Sequence, residues 1–452
     1  MIKITEHKSY SGNYYTIDTL EKNKILSSQT IKLKSCILFD KYTSNNYYML
    51  YDINMNPITE VFNYINFYMA STSPNTKEKS LHALKLLYAY LTIFNLSIRD
   101  LNRTDIKNLQ YFLKGISPKG YDISLYLQST RKNETINGYL NVYRGYIKFL
   151  NIKKSPLLVK IAKPKIITNS IGETKFSVYS YESNLRLTNK NLATPKYISV
   201  SEFKRIIDVV RTYYGKREEC IIRLMFEGGL RIGEVLGLTA DDILTEEIDG
   251  NITGVIYIRN RYSDKSYQKA KTCININSTQ TYTTEEYNTP GDGYQTVVVD
   301  IELIDIINEY IEEFHILARE NMNKNYYKYT LADRVRPSEP YEDDNYYVFL
   351  NSLGRPLSYQ SWKNIIKDIF KKSGLPVDSI KRKNNLSHRF RHGFAMFLVN
   401  YLDYKPFELM KRMRHTSLSS TCKYYNLTVS DIVNKKNKLS VSLYNIIPEL
   451  KI

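Results

Sequence analysis

Cysteine is scarce in this chain: 452 residues hold four, Cys36, Cys220, Cys273 and Cys422, far apart and without a CxxC pair. That spacing excludes a disulfide framework and the common zinc motifs, and it fits a reducing cytoplasm. No apolar run reaches membrane-spanning length. The opening MIKITEHKSY lacks the basic-then-apolar order of a secretory leader, so neither a membrane nor an export route is expected. There is no Gly-x-x-x-x-Gly-Lys loop and no set of carboxylates clustered for two metals, so neither cofactor nor metal is expected. Acids are also in deficit. Asp and Glu total 46 against 64 Lys and Arg, a formal charge of +18 with a pI near 9.3. A surplus of that size favours a polyanionic partner, nucleic acid first among them.

What is present suffices for real cores, since 42% of the residues are hydrophobic. The length implies two or three domains. Residues 1–56 alternate apolar and polar positions, as at Ile31, Leu33, Cys36 and Leu38, and read as a small strand-containing N-terminal module. From Pro57 the period turns helical: Ile58, Val61, Phe62, Ile65 and Tyr68 share one face, as do Leu81, Leu84, Leu87, Tyr88 and Leu91. Further helical stretches cover Asp105–Leu113 and Thr135–Leu150, so 57–165 reads as a helical domain. It ends in a basic stretch from Lys153 to Lys165 that holds no acid. Such a stretch is either a solvated face or a strap along phosphates. The polar run 166–195 reads as a linker. A second large domain, 196–452, opens at Tyr197 with Ser199 or Ser201 as N-cap. Strand-like segments at 255–261 and 272–277 flank a Lys-rich turn, and VVVDIEL (297–303) runs into a helix. The polar stretch 323–345 reads as an insertion. The expected class is mainly α with a small antiparallel sheet.

Tyrosine is abundant, 41 residues, so no single tyrosine is informative by type. Position has to single one out. Between Lys363 and Arg391 nine Lys and Arg face two acids, and His388, His392 and His415 fall in or just after this region. Phosphoryl transfer to a side chain without metal or ATP needs fixed cations for the transition-state charge, a nucleophile, a base and an acid. Arg231, just after Gly228-Gly229-Leu230, begins a short helix on which Glu234, three residues on, orients it. His388 and Arg391, spaced i, i+3 with Ser387 as N-cap, point the same way. His415 precedes TSLSST and then Tyr424 and Tyr425. A tyrosine at a helix start would see a positive dipole and nearby cations, which ease its ionisation.

Together these segments resemble the tyrosine recombinase family of phage integrases, Xer recombinases and integrative-element transposases. GGLRIGEVLGL is similar to its first arginine box and HRFRHGFA to its H-x-x-R-H-x-F-A box. MRHTSLSSTCKYY is similar to its last box, with His415 nine positions before Tyr424. KYISVSEFKRII, YVFLNSLGRPLS and the helical segments at 73–91 and 131–150 agree with it. The resemblance implies a C-shaped DNA clamp, with a helical SAM-like core-binding domain and a catalytic domain. It also implies site-specific strand exchange through a 3′-phosphotyrosine and a Holliday junction. Arg231 and Arg391 would clamp the scissile phosphate and His388 would take the tyrosine proton. His415 would donate to a phosphate oxygen, Tyr424 would attack, and Lys271 (or Lys269) would protonate the leaving oxygen. The partners implied are double-stranded DNA at attachment or element-end sites, three further copies of the chain and helper proteins. The setting implied is the prokaryotic or phage nucleoid, with the N-terminal module on accessory DNA. Departures are Arg414 where a small residue is usual, Arg389 where Asp is common, Gly393 where Thr is frequent, and a long segment between Lys271 and Val297. Tyr425 is a rival nucleophile by adjacency. Type IB topoisomerase activity and a catalytically decayed DNA-binding regulator remain the alternatives.

Overall fold

The computed structural model describes residues 2–425 except 10–11, 23, 41–44, 118–122, 170–171, 188–193, 263–267, 277, 326–345 and 379–384. The expected insertion, beyond residue 325, lies outside the described residues, as do Leu443, Ile446, Ile447 and Leu450, whose spacing reads as an apolar stripe in the C-terminal tail. The chain divides into two units, Met1–Lys190 and Asn191–Ile452.

In the first unit the alternating N-terminal residues form β1 (Ile2–His7), β2 (Tyr14–Glu21), β3 (Lys24–Ile31), β4 (Lys34–Asp40) and β5 (Asn45–Tyr51). α1 (Thr59–Asn63) runs on as a wider turn to Tyr68, and α2 (Pro74–Ile93) and α3 (Arg103–Lys114) follow. Then come β6 (Ile123–Tyr126) and α4 (Asn133–Phe149). Ser73 caps α2 by accepting the amide of Thr76, with Pro74 in the first turn, where a missing N–H is harmless. Asn102 and Asp105 form a reciprocal capping box on α3, and Gly115 closes that helix in the left-handed region. Of the apolar faces read from the sequence, Val61, Ile65, Leu81, Leu84, Leu87 and Leu91 are buried, whereas Tyr68 is exposed.

The boundary at 56 is corrected by strand pairing. β1 lies between β2, antiparallel, and β6, parallel, in a sheet ordered β3-β2-β1-β6. Ile4, Tyr15 and Ile31 enter the same core as α2, α3 and α4. A module whose central strand needs a partner from between two helices does not stand alone. The linker is corrected too. Residues 160–181 form a hairpin of β7 (Lys160–Asn169) and β8 (Gly172–Tyr181). Its exit is tied to α4 by buried Arg144, which donates to Leu157 O, Asn141 Oδ1, Ser183 Oγ and Asn184 Oδ1.

In the second unit α5 (Val200–Tyr213) starts at Ser199, which shares a capping box with Glu202. α6 (Lys216–Phe226), α7 (Ile232–Val235), β9 (Ile243–Ile248), β10 (Asn251–Arg259), α8 (Glu285–Asn288), β11 (Tyr294–Val299) and α9 (Ile301–Asn325) follow. α10 (Tyr359–Lys372), α11 (Leu386–Tyr401), α12 (Pro406–Arg412) and α13 (Ser419–Cys422) complete the order. α6 packs against both α9 and α11, which bury Cys220, Ile221, Ile222, Leu224 and Met225, while Arg223 among them is half-buried. The sheet is antiparallel in the order β11-β10-β9.

Two strand expectations shift here. The acidic segment after 241 supplies β9, with Asp242 buried against Arg259 and Arg261. Of the strand expected at 272–277, the described residues 272–276 are not in a strand. The buried Asn260 side chain binds Ala270 N and O, Cys273 O and Ile274 O, so these groups are unavailable to a ladder. Helices and small, mostly antiparallel sheets give the α+β architecture expected. Among the described residues no helix is long and apolar enough to cross a membrane.

Candidate active site

The site gathers where α7, α11 and the segment after α12 meet. Gly229 comes first, because its backbone is left-handed (φ +61) and a Cβ there would overlap the Phe394 ring. Only glycine fits. Its carbonyl accepts from Arg391 Nη1, and Met413 O accepts from Nη2. Arg391 is 2% exposed. It is stretched between two backbone oxygens that use two of its five donors, so three remain for a ligand.

Arg231 is the N-cap of α7. Glu234, wholly enclosed, accepts the backbone N–H of Arg231 at 2.8 Å and its Nη1 at 2.6 Å. The other oxygen of Glu234 also accepts from Arg414 Nη2 at 2.6 Å. Burial works against ionisation, yet Arg414, Arg231 and Arg391 outweigh it and hold Glu234 down at about 2. It is a carboxylate at any working pH.

α11 carries the histidine box. Asn385, not Ser387, is its N-cap; Ser387 is the second residue of the helix and accepts from Trp362 Nε1 at 2.9 Å. The aromatic packing of Phe390 and Phe394 fixes the helix rotation, so His388, Arg391 and His392 face the site together. Gly393 has no room for a Cβ because Ile198 O and Phe226 press on it, which explains the missing Thr. Arg389 points elsewhere, to Pro376 O and Asp378.

Tyr424 is 2% exposed, and its hydroxyl lies 2.7 Å from His392 Nδ1. The His415 ring stacks nearly parallel to it with centroids 6.2 Å apart, and His415 Nδ1 is tied to Thr421 Oγ1 at 2.9 Å. Lys423 Nζ sits 5.1 Å from the Tyr424 ring centre. Tyr425 turns away and donates to Tyr404 O at 2.7 Å. Two sequence expectations are corrected here. Tyr424 lies on the turn Lys423–Tyr425 after α13, not at a helix start, so no N-terminal dipole acts on it. Burial raises its phenol to about 12, and Arg391 and Arg231 offset this only in part. The free site holds a phenol, not a phenolate.

The histidines are neutral. Burial first, then the positive charges of Arg391, Arg231, Lys423 and Lys271, bring His388 down to about 4. Burial and the charges of Arg391, Lys423, Arg231 and Arg414 bring His415 to about 3. Burial and the neighbouring His388 lower His392 to about 2. Burial also presses Arg391 down to about 9, with Glu234 opposing, so it stays charged at neutral pH. Lys271 is exposed, and its charge is felt at His388. Its loop is held by Asn260 and by Gln268 Nε2, which donates to Leu236 O at 2.7 Å.

The structure brings Arg231, Glu234, His388, Arg391, His415 and Tyr424 to one place, and the charge of Lys271 reaches His388. Two members were missed. His392 stands in the H-x-x-R-H-x-F-A box but has no role assigned there, although its spacing of four from His388 puts both on one face. Arg414 registered only as a departure, because nothing local relates it to Glu234, 180 positions earlier.

Comparisons place the chain among known proteins. Residues 301–430 match the model of the phage integrase family, a span that includes His388, Arg391, His415 and Tyr424. Transposase A from transposon Tn554 of Staphylococcus aureus is 26% identical over 400 residues, covering 86% of this chain and 93% of that protein. The tyrosine recombinase XerC of Lactobacillus delbrueckii subsp. bulgaricus is 21% identical over 315 residues, 69% of this chain and 79% of that one. A solved structure of the Tn1549 transposon integrase in complex with transposon right end DNA aligns with a TM-score of 0.48 at 16% identity. It covers 84% of this chain and 98% of that chain.

Proposed function

Because the chain belongs to the tyrosine recombinase family, we propose that it is a site-specific DNA recombinase whose nucleophile is Tyr424. It would act at the ends of an integrative element through a 3′-phosphotyrosine and a Holliday junction, as four copies on two duplexes. The observation that carries this reading is the Tyr424 hydroxyl on His392, flanked by His415 and by the Arg231–Glu234–Arg391 group. The net charge of +18 supports a duplex DNA partner.

In the proposed step the Tyr424 oxygen attacks the scissile phosphorus. The P–O5′ bond breaks, and the phosphate stays on the 3′ side, bound to the tyrosine. With Nδ1 of His392 unprotonated, the phenol donates to it, and His392 takes the proton with His388 against its ring (centroids 5.0 Å apart). His392 thus replaces His388 as the immediate acceptor. Arg231, Arg391 and His415 stabilise the charge that grows on the non-bridging oxygens. Lys271 supplies the proton for the 5′ oxygen. Rejoining reverses each transfer, so the phosphotyrosine conserves the bond and no nucleotide is consumed.

The test is incubation of the protein with nicked candidate element-end duplexes and a search for a denaturation-resistant adduct, followed by peptide mapping. A 3′-linked adduct at Tyr424 is the expected result. No adduct on any element-end DNA would sink the reading.

The histidines also predict how stability depends on pH. Their folded values of about 4, 3 and 2 lie below the ordinary 6.5, so below pH 6.5 the unfolded chain binds more protons than the folded one. Stability is therefore full above 6.5 and declines as pH falls further. The Tm of the DNA-free protein should drop between pH 7 and 5, and His388→Asn should flatten that slope. An unchanged slope in the variant would refute the assignment.

A further inference from the structure

Arg414 has two features that the recombinase reading does not use. Its backbone is left-handed, with φ +50, where an ordinary side chain is strained and glycine is not. Its side chain is nonetheless buried, 7% exposed, and spans to Glu234 Oε2 at 2.6 Å. A conformation that disfavours every large residue is kept here by one whose guanidinium reaches the carboxylate of the first arginine box. Backbone strain of this kind persists only where the surrounding structure over-determines it, and a buried, hydrogen-bonded ion pair can hold it.

Glu234 is shared. One oxygen takes Arg231 Nη1, and the other takes the Arg231 backbone N–H and Arg414 Nη2. With both oxygens occupied by donors 183 positions apart in the sequence, Arg231 and Arg414, the carboxylate has no freedom to swing. Arg231 is thereby held in one direction while 17% of its side chain stays open to a ligand. The charge balance also changes. Glu234 alone would cancel one of the two guanidiniums, Arg231 and Arg391. With Arg414 added, three guanidiniums stand against one carboxylate, a surplus of two. A phosphodiester brings one negative charge, and its five-coordinate transition state carries nearly two.

We propose that Arg414 is a positioning residue of this active site: it locks Glu234, and through it aims Arg231 at the scissile phosphate. Arg414 touches neither the nucleophile nor DNA in this role. The inference rests on the recombinase reading and adds a residue to it.

The test compares wild type with Arg414→Gly, Arg414→Met and Arg414→Lys in single-turnover cleavage of a nicked element-end duplex. DNA affinity and Tm are measured alongside. Glycine suits the backbone at this position and methionine keeps the bulk, so one of the two remains folded whatever the other does. The expected result is about a 10- to 100-fold slower cleavage in both, the range for a group that supports a ligand-contacting one, with DNA affinity unchanged. Arg414→Lys, which restores a charge beside Glu234, should recover most of the rate. The double variant with Glu234→Gln should cleave no more slowly than the slower single one, because the two residues act in series. Cleavage at the wild-type rate in Arg414→Gly and Arg414→Met, even with a lowered Tm, would overturn the proposal and leave the recombinase reading standing. Absence of an adduct with wild type would overturn both.

Discussion

Tyr424→Phe protein should form no covalent adduct with nicked element-end DNA, while Tyr425→Phe should form it at close to the wild-type rate. The two tyrosines are adjacent, but their hydroxyls have opposite surroundings. That of Tyr424 faces His392 Nδ1 among the cations, and that of Tyr425 is committed to the Tyr404 carbonyl. Removing the Tyr424 oxygen deletes the atom proposed to bond to phosphorus and leaves the ring in place. Folding should change by about 1 kcal/mol, the net worth of one hydrogen bond, and DNA binding not at all. Tyr425→Phe loses a similar increment of stability and nothing else. Denaturing gel electrophoresis of the two variants decides the matter. Adduct from Tyr424→Phe, or none from a folded Tyr425→Phe, would transfer the assignment to Tyr425.

Arg391→Lys should slow single-turnover cleavage by about 10²- to 10³-fold, the usual loss when one preorganised transition-state donor goes. The charge is retained, so this outcome depends on geometry. Arg391 is fixed by carbonyls on two different segments, Gly229 O and Met413 O, and still has donors to spare. A lysine ammonium is a point donor and cannot brace against both carbonyls while holding two phosphate oxygens. Affinity for DNA should move by only a few-fold, because duplex binding is spread over many phosphate contacts. Stability should fall by about 1–3 kcal/mol, since one buried carbonyl loses its donor. Cleavage at the wild-type rate by a folded Arg391→Lys protein would remove Arg391 from the phosphate clamp.

The parts of this site legible in the sequence are those whose geometry is local. Arg231 and Glu234 sit three residues apart, and a helix start converts that spacing into contact whatever surrounds it. His388 and Arg391 share a face for the same reason. Tyr424 could be separated from the other tyrosines because its distance from His415 is a sequence quantity, matched to a family pattern. The α+β class followed from the change of period near Pro57 and from the apolar faces of α2 to α4, which the core then buried.

What tertiary structure decided involves groups that only folding brings together. β1 belongs with β6, so the N-terminal strands and the helices form one unit instead of two. Asn260 takes up the backbone groups around Lys271 and prevents the strand that the residue pattern suggested. Burial, a property of the packed chain alone, keeps Tyr424 protonated against its cationic neighbours and the histidines neutral. The bonds of Arg391 to Gly229, of His392 to Tyr424 and of Arg414 to Glu234 span 162, 32 and 180 positions. The sequence by itself determined which residue types the chemistry requires and the helices that carry them. The partner of each buried charge was decided by the fold, because desolvated polar groups bind whatever donor or acceptor packing presents to them.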